Sequence, residues 1–269
     1  MEGGLPYLAV GEGPPLVVFP GGAPSHANPT GIQRRLAARF LAPLARGGFT
    51  VYNVNRKVGL EPGSTMADIA ADYARALETT FGGPVDVLGI STGGSVAQQF
   101  AVDHPWLVRR LVLAGTAHRL GPVAREAQRR SAGYAARGDH RRSLAAAAPT
   151  IARSRTGQRF IGAAFWLMAP LAGMGKSWDP SDMIATLRAE DAFDVADRLC
   201  GVRAPTLLIV GDRDQNFGME LFRRTADLIP DCRLIIYEGR GHGGTFTDRR
   251  FARDIGSFLK RASVSGRKT

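Results

Sequence analysis

Val85-Asp86-Val87-Leu88-Gly89-Ile90-Ser91-Thr92-Gly93-Gly94 is the stretch that decides the fold. A short apolar run with alternation at Val85 and Val87 reads as a buried strand. It runs into Gly-x-Ser-x-Gly, and the amphipathic segment Ser95–Ala101 follows. Strand, tight turn and helix in that order hold a serine in a strained backbone conformation, with its hydroxyl projecting at the end of a sheet. Gly89 and Gly93 flank the serine where side chains would collide as strand and helix converge, and Gly94 lets the helix pack close. The turn leaves backbone N–H groups free at the helix start, where negative charge is favoured. Ser91 is thus a candidate nucleophile beside an anion site. The five-residue pattern alone also fits a glycine-rich connection without chemistry; the flanking strand and helix give it meaning.

The surroundings alternate in the same way. Strands are expected at Tyr7–Val10, Leu16–Phe19, Phe49–Val54 and Leu111–Ala114, with helices at Ile32–Arg46 and from Thr65 to about Phe81. Thr65-Met66-Ala67-Asp68 reads as a capped helix start. The rhythm resumes after Pro205 with strands Thr206–Val210 and Arg233–Tyr237 and helices Met219–Leu228 and Phe251–Leu259. Strands alternating with helices imply βαβ units and a mostly parallel sheet. Residues 118–197 break the alternation. They hold no convincing strand and read as helices near Pro122–Arg137, His140–Ala147, Gly157–Leu171 and Ser181–Asp191, dense in arginine from Arg125 through Arg153 to Arg159. The expected division is a core of residues 1–117 and 198–269 with a helical cap inserted at 118–197, the alternative being an ordinary helical subdomain.

At 269 residues the chain suits one large α/β domain or two small ones, and 44% hydrophobic with 22% charged residues argues against disorder. A net charge of +11 raises nucleic acid as a partner, but the excess is arginine scattered in helices and the tail Lys260–Thr269, with no basic stripe interleaved with aromatics, so none is expected. Cys200 and Cys232 make no disulfide framework or metal spacing and read as reduced thiols of a cytoplasmic protein. Met1–Pro6 lacks the pattern of a signal peptide. The uncharged run Phe160–Met174 is interrupted by Pro170 and is shorter than the ~20 residues a bilayer crossing needs, so no membrane span is expected.

A serine hydroxyl attacks well only when a base takes its proton and a third group orients that base. His242 lies in a glycine-rich loop after the last strand, and Asp214, with Asp212 two residues away, follows the strand before it. Both loops leave the same edge of a parallel sheet, outside the carboxyl ends of the strands, as Ser91 does. The chain order is Ser, Asp, His.

Gly89-Ile90-Ser91-Thr92-Gly93, Gly211-Asp212-Arg213-Asp214, Gly241-His242 and the position of the helical insertion together resemble the α/β-hydrolase fold over essentially the whole chain, most of all its esterase, haloperoxidase-like and proline-iminopeptidase-like branch. The resemblance implies a nucleophile at Ser91, an acid at Asp214 and a base at His242; the family spacing Gly-x-x-Asp favours Asp214 over Asp212. One oxyanion donor is expected at the Thr92 N–H, just after the nucleophile. Alignment with the family's His-Gly-x pattern implies the other at Gly22, with Ala23 next, in the loop Pro20-Gly21-Gly22-Ala23. Pro20 occupies the usual histidine position, which removes the hydrogen bonds that normally brace this loop.

Among the other histidines, His26 follows the strand Leu16–Phe19 and is expected within reach of substrate, and His118 at the start of the cap is expected to line the cleft. His104 reads as a helix end and His140 as solvated. Arg56 reads as a surface ion pair, with a substrate carboxylate as the alternative. Phe165, Trp166, Met168 and Trp178 are candidates for an apolar pocket under the cap, or else plain core. The resulting expectation is a cofactor-free and metal-free serine hydrolase of a small to medium apolar carboxylic ester, or less readily an amide. Rival readings are carbon–carbon hydrolysis, lyase, perhydrolase or acyl-transfer chemistry on the same fold, a non-catalytic small-molecule binder, or an anion-binding arginine-rich cap.

Overall fold

The computed structural model describes residues 1, 4–152, 154–170, 174 and 178–260. Arg153 of the arginine-dense insertion and residues 261–269 of the basic tail lie outside them.

The core strands are β1 (Tyr7–Val10), β2 (Pro15–Phe19), β3 (Thr50–Val54), β4 (Val85–Ile90), β5 (Val108–Ala114), β6 (Thr206–Gly211) and β7 (Cys232–Tyr237). They form one sheet in the order β1-β3-β2-β4-β5-β6-β7. Only the β1–β3 pair is antiparallel. Every residue of β4 and β6 is buried, as both faces of a parallel sheet are covered. The one charge in β4, Asp86, is answered by Arg109 of β5, whose guanidinium donates to both its oxygens at 2.9 and 2.7 Å.

Helices cover both faces: α1 (Gly31–Ala45), α2 (Met66–Phe81), α3 (Thr92–Asp103), and, after the insertion, α8 (Met219–Leu228), α9 (His242–Phe246) and α10 (Phe251–Leu259). The Thr65 start is a full capping box with Asp68. One apolar cluster gathers Tyr73 and Leu77 of α2, Phe100 of α3 and Phe222 of α8 against the sheet. The other gathers Leu41 and Leu44 of α1 with Ile255 and Leu259 of α10 on the opposite face.

Register brings the working loops to one rim. Phe19 pairs with Gly89, Ile90 with Ala114, Ala114 with Ile209 and Gly211 with Tyr237, so these strands end level. Ser91, the loop after Phe19, the loop after Gly211 and the loop after Tyr237 therefore emerge side by side.

Between β5 and β6 lie α4 (Pro122–Ala136), α5 (His140–Ala145), α6 (Arg155–Met168) and α7 (Ser181–Asp191). The segment's ends are joined by an isolated bridge between Arg119 and Asp194 and by the Val195 N–H donating to the His118 carbonyl at 3.1 Å. It is clasped to the core from the other side, where Asp182 accepts from the N–H groups of Gly59 and Leu60 at 2.9 and 2.7 Å. The Trp178 indole N–H donates to the Pro24 carbonyl at 2.7 Å. His242 is not in a loop: it is the first residue of the short helix α9, which the poor helix formers Gly243 and Gly244 hid from sequence. Cys200 and Cys232 are free thiols.

Candidate active site

Ser91 caps α3 with φ 52° and ψ −123°, and it is the one non-glycine residue at positive φ among those described. Holding a side chain there costs about 1–3 kcal/mol and needs support from the surroundings. Its N–H is tied to the Ala114 carbonyl of β5 at 2.9 Å, and its carbonyl accepts from the Gly94 N–H at 2.7 Å. The glycines make the turn possible. A Cβ on Gly93 would lie 2.0 Å from the Phe19 carbonyl oxygen, one on Gly94 2.3 Å from Thr116, and one on Gly89 2.6 Å from Ala97.

The three distant side chains meet. His242 Nε2 lies 2.9 Å from Ser91 Oγ, and His242 Nδ1 lies 2.8 Å from Asp214 Oδ2. Asp214 is almost fully buried and its other oxygen accepts from the Asn216 N–H at 2.7 Å. With Nδ1 carrying a proton toward the carboxylate, Nε2 is left with its lone pair facing the serine hydroxyl. Asp212 points to solvent and takes no part.

The Thr92 N–H opens α3, and neither it nor the Gly22 N–H meets an acceptor among the described residues. The two stand close: a Cβ on Gly22 would come within 3.4 Å of Thr92 Oγ1, and one on Gly21 within 3.4 Å of Ser91 Cβ. What holds this loop is Arg56. It is no surface ion pair. It is fully buried, and it donates to the carbonyls of Pro20 at 3.0 Å and Gly21 at 2.8 Å and to His26 Nε2 at 3.1 Å. The bracing removed with the histidine at position 20 is thus supplied from the end of β3. Sequence gave one usable signal for it: an arginine just past a strand ending at the same rim.

His26 is the second half of that brace. It does not reach a substrate cavity; it is 1% exposed, its Nδ1 faces the Lys57 carbonyl at 2.9 Å, and Thr186 Oγ1 lies 3.3 Å from Nε2. Burial, and after it the neighbouring Arg56 charge, lowers its pKa from 6.5 to about 4. A neutral ring with the proton on Nδ1 fits both contacts, donating to Lys57 and accepting from Arg56.

Two hollows meet at Gly22. One is lined by Ser91, His242, Phe246 and, from α1, Phe40 and Leu41. The other, of about 220 Å³, lies beneath the inserted helices against Gly22 and Ala23. Its wall comes from α4 (Ala124, Ala127, Gln128, Ser131), α5 (Ser143, Leu144) and α7 (Met183, Thr186, Leu187), not from the aromatics expected to line it. Phe165 is half-buried and outside both linings, while Trp166 and Met168, at 42% and 51% exposed, face solvent because α6 buries none of its residues. Trp166 stacks instead under the Arg141 guanidinium, 4.2 Å from the ring centre. Trp178 braces the Pro24 loop and meets His140 edge-on. His118 is buried against Thr225 of α8, away from both hollows. Alanines and serines of an inserted helix carry little signal in sequence, which is why this lining escapes a reading of the residues alone. Among the described residues no cluster of three His, Cys, Asp or Glu side chains suits a metal ion.

Residues 16–254 match the model of a family described as the alpha/beta hydrolase family. The chain belongs to the alpha/beta hydrolase family. This α/β hydrolase is 28% identical over 216 residues to a protein of Variovorax paradoxus (strain S110) named putative carbamate hydrolase RutD, spanning 77% of each chain. Its fold is shared by MGS-M2, an alpha/beta hydrolase enzyme from a Medee basin deep-sea metagenome library (TM-score 0.80, 17% identity, covering 98% and 96% of the two chains). It is shared too by a thermophilic esterase from Thermogutta terrifontis (TM-score 0.72, 23% identity, 95% and 92%). The α/β hydrolase is accordingly an enzyme. No helix among its described residues is long and apolar enough to cross a membrane.

Proposed function

We propose that this enzyme is a serine hydrolase that cleaves a small carboxylic ester, and less readily an amide, through an acyl-enzyme on Ser91. The single observation that carries the reading is the unbroken line from Ser91 Oγ through His242 to Asp214, with contacts of 2.9 and 2.8 Å, mounted on the one strained non-glycine turn described. Ser91 attacks the carbonyl carbon while His242 Nε2 takes its proton, and Asp214 steadies the imidazolium. The oxyanion is held by the N–H groups of Thr92 and Gly22, which have no other acceptor. His242 then protonates the departing alkoxide. Water, giving its proton to His242, attacks the acyl-enzyme and releases the acid. A carbamate, the substrate class in the name of the Variovorax relative, presents a carbonyl open to the same attack.

Arg56 is a positioning residue on this reading: it never touches the reacting atoms and fixes the loop that carries the Gly22 N–H. Residues 118–197 form the cap over residues 1–117 and 198–269, and a small-molecule substrate enters between them. The test is turnover of p-nitrophenyl esters from acetate to octanoate by wild type and Ser91→Ala. Turnover that falls to the uncatalysed rate in S91A is expected; equal turnover by both proteins removes Ser91 as the nucleophile.

A further inference from the structure

The outer face of α6 is apolar. Phe160, Ala163, Ala164 and Leu167 recur at i, i+3, i+4 and i+7, so they share one side of the helix. All four are exposed, Phe160 at 73% and Leu167 at 64%, and the exposed Met168 follows them. The opposite side of α6 rests on α5 and on the turn Ala148–Thr150. Apolar side chains scattered singly over a surface mean little, but a contiguous stripe along a helix marks a surface made to be covered.

Cations border that stripe. Arg155, Gln158 and Arg159 of α6 line a surface hollow with Arg130 of α4. No Asp or Glu lines it, and among the described residues none of these three guanidiniums has an ion pair or hydrogen bond. Further along α6, Trp166 lies under the Arg141 guanidinium. Arg142, by contrast, is answered by Asp139. The sequence explains the imbalance: His140 to Trp178 holds no Asp or Glu, against Arg141, Arg142, Arg153, Arg155, Arg159 and Lys176. A second copy docked here about a two-fold axis would set this surface against itself, cation toward cation, with no carboxylate from the segment on either side. An anionic lipid surface answers both features, since acyl chains take the stripe and phosphate oxygens take the arginines.

We propose that α6 docks this protein on the surface of an anionic lipid bilayer, with Phe160 and Leu167 at the acyl boundary and Arg130, Arg155 and Arg159 on lipid phosphates. The helix lies in the interface and does not span it: its 14 residues run ~21 Å, short of the ~30 Å hydrocarbon core. The inference concerns where the enzyme sits and stands apart from the chemistry at Ser91.

The test is co-sedimentation of the full chain with vesicles of phosphatidylcholine, alone or with about 30 mol% phosphatidylglycerol, in ~0.1 M salt, which screens the long-range pull of the net +11 charge. Wild type is expected to partition onto the anionic vesicles about tenfold or more over the neutral ones. Phe160→Asn with Leu167→Asn keeps every charge and is expected to lower that partition about tenfold or more. Arg155→Gln with Arg159→Gln is expected to lower it by a similar factor, and the charge-matched control Arg223→Gln with Arg224→Gln on α8 by less than about threefold. All the substituted side chains are exposed, and thermal unfolding checks that the fold is kept. In wild type itself, amide exchange across Arg155–Met168 is expected to slow on anionic vesicles while α8 is unchanged; this reading decides alone if a variant does not fold. No partition of wild type, equal loss from both arginine pairs, full retention by F160N/L167N or unchanged exchange in α6 overturns the inference. A wild-type dimer that F160N/L167N converts to monomer overturns it too and assigns the face to a second copy. Binding lost in Ile32→Asn with Leu36→Asn but kept in F160N/L167N overturns it in favour of the exposed apolar residues of α1.

Discussion

Replacing Arg56 by Met removes three hydrogen bonds from one buried cation and leaves the Pro20 and Gly21 carbonyls and His26 Nε2 without their donor. Burial lowers the guanidinium's pKa, with Tyr73, Glu190 and Asp182 opposing that shift, so desolvating the cation already offsets part of what its bonds contribute. Breaking a buried, hydrogen-bonded charge in this way costs about 3–5 kcal/mol of stability. The effect on rate is separable. If the loop relaxes enough to carry the Gly22 N–H out of line, one oxyanion donor is lost, which lowers kcat by about 10²–10³. Because that donor matters in the transition state, kcat falls while KM moves little. Arg56→Lys keeps the charge but not the fork that reaches three acceptors, so it recovers only part of the loss. The assay is kcat and KM on p-nitrophenyl butyrate beside thermal unfolding. The control is Ile255→Ala on the opposite face of the sheet, where a fully buried side chain is truncated at a similar cost of ~2–5 kcal/mol. R56M that loses stability yet keeps kcat within threefold, or I255A that loses kcat equally when folded, refutes the positioning role.

Two further expectations follow from the same contacts. The pKa of His26 in the folded protein, about 4, lies below the unfolded value of 6.5. The unfolded chain therefore takes up the proton first as pH falls, and stability present above pH 6.5 is lost between 6.5 and 4, by up to about 3 kcal/mol. Urea unfolding across that range should show the slope in wild type and a shallower one in His26→Gln; equal slopes would exclude His26 as its source. Asp214→Asn should lower kcat by about 10⁴ through the wrong imidazole tautomer, whereas Asp212→Asn, at an exposed position, should change it less than twofold. The reverse ranking would reassign the acid.

The frame of the molecule was legible because it is written in strong, local signals. Apolar runs such as Leu16–Phe19 and Thr206–Val210 can only be buried strands, and the glycines around Ser91 answer to steric contacts of 2.0–2.6 Å that leave no room for another residue. The chain order of Ser91, Asp214 and His242 was equally readable, since each follows a strand that ends at one rim. What escaped depends on contacts between segments far apart in the chain. Arg56 sits in a polar, exposed-looking stretch, and only the fold shows that Pro20, Gly21 and His26 close over it. The aromatics of α6 repeat at helical spacing, yet that periodicity says nothing about which neighbour covers them, and among the described residues none buries them fully. The cavity is instead lined largely by short side chains such as Ala124, Ala127, Ser131 and Ser143, which only the fold brings together.

The most direct measurement is mass mapping of the protein after brief exposure to a fluorophosphonate. One adduct, on the peptide holding Ser91 and absent from Ser91→Ala, is the predicted result. An adduct on a different serine, or labelling of Ser91→Ala at the wild-type rate, would contradict it.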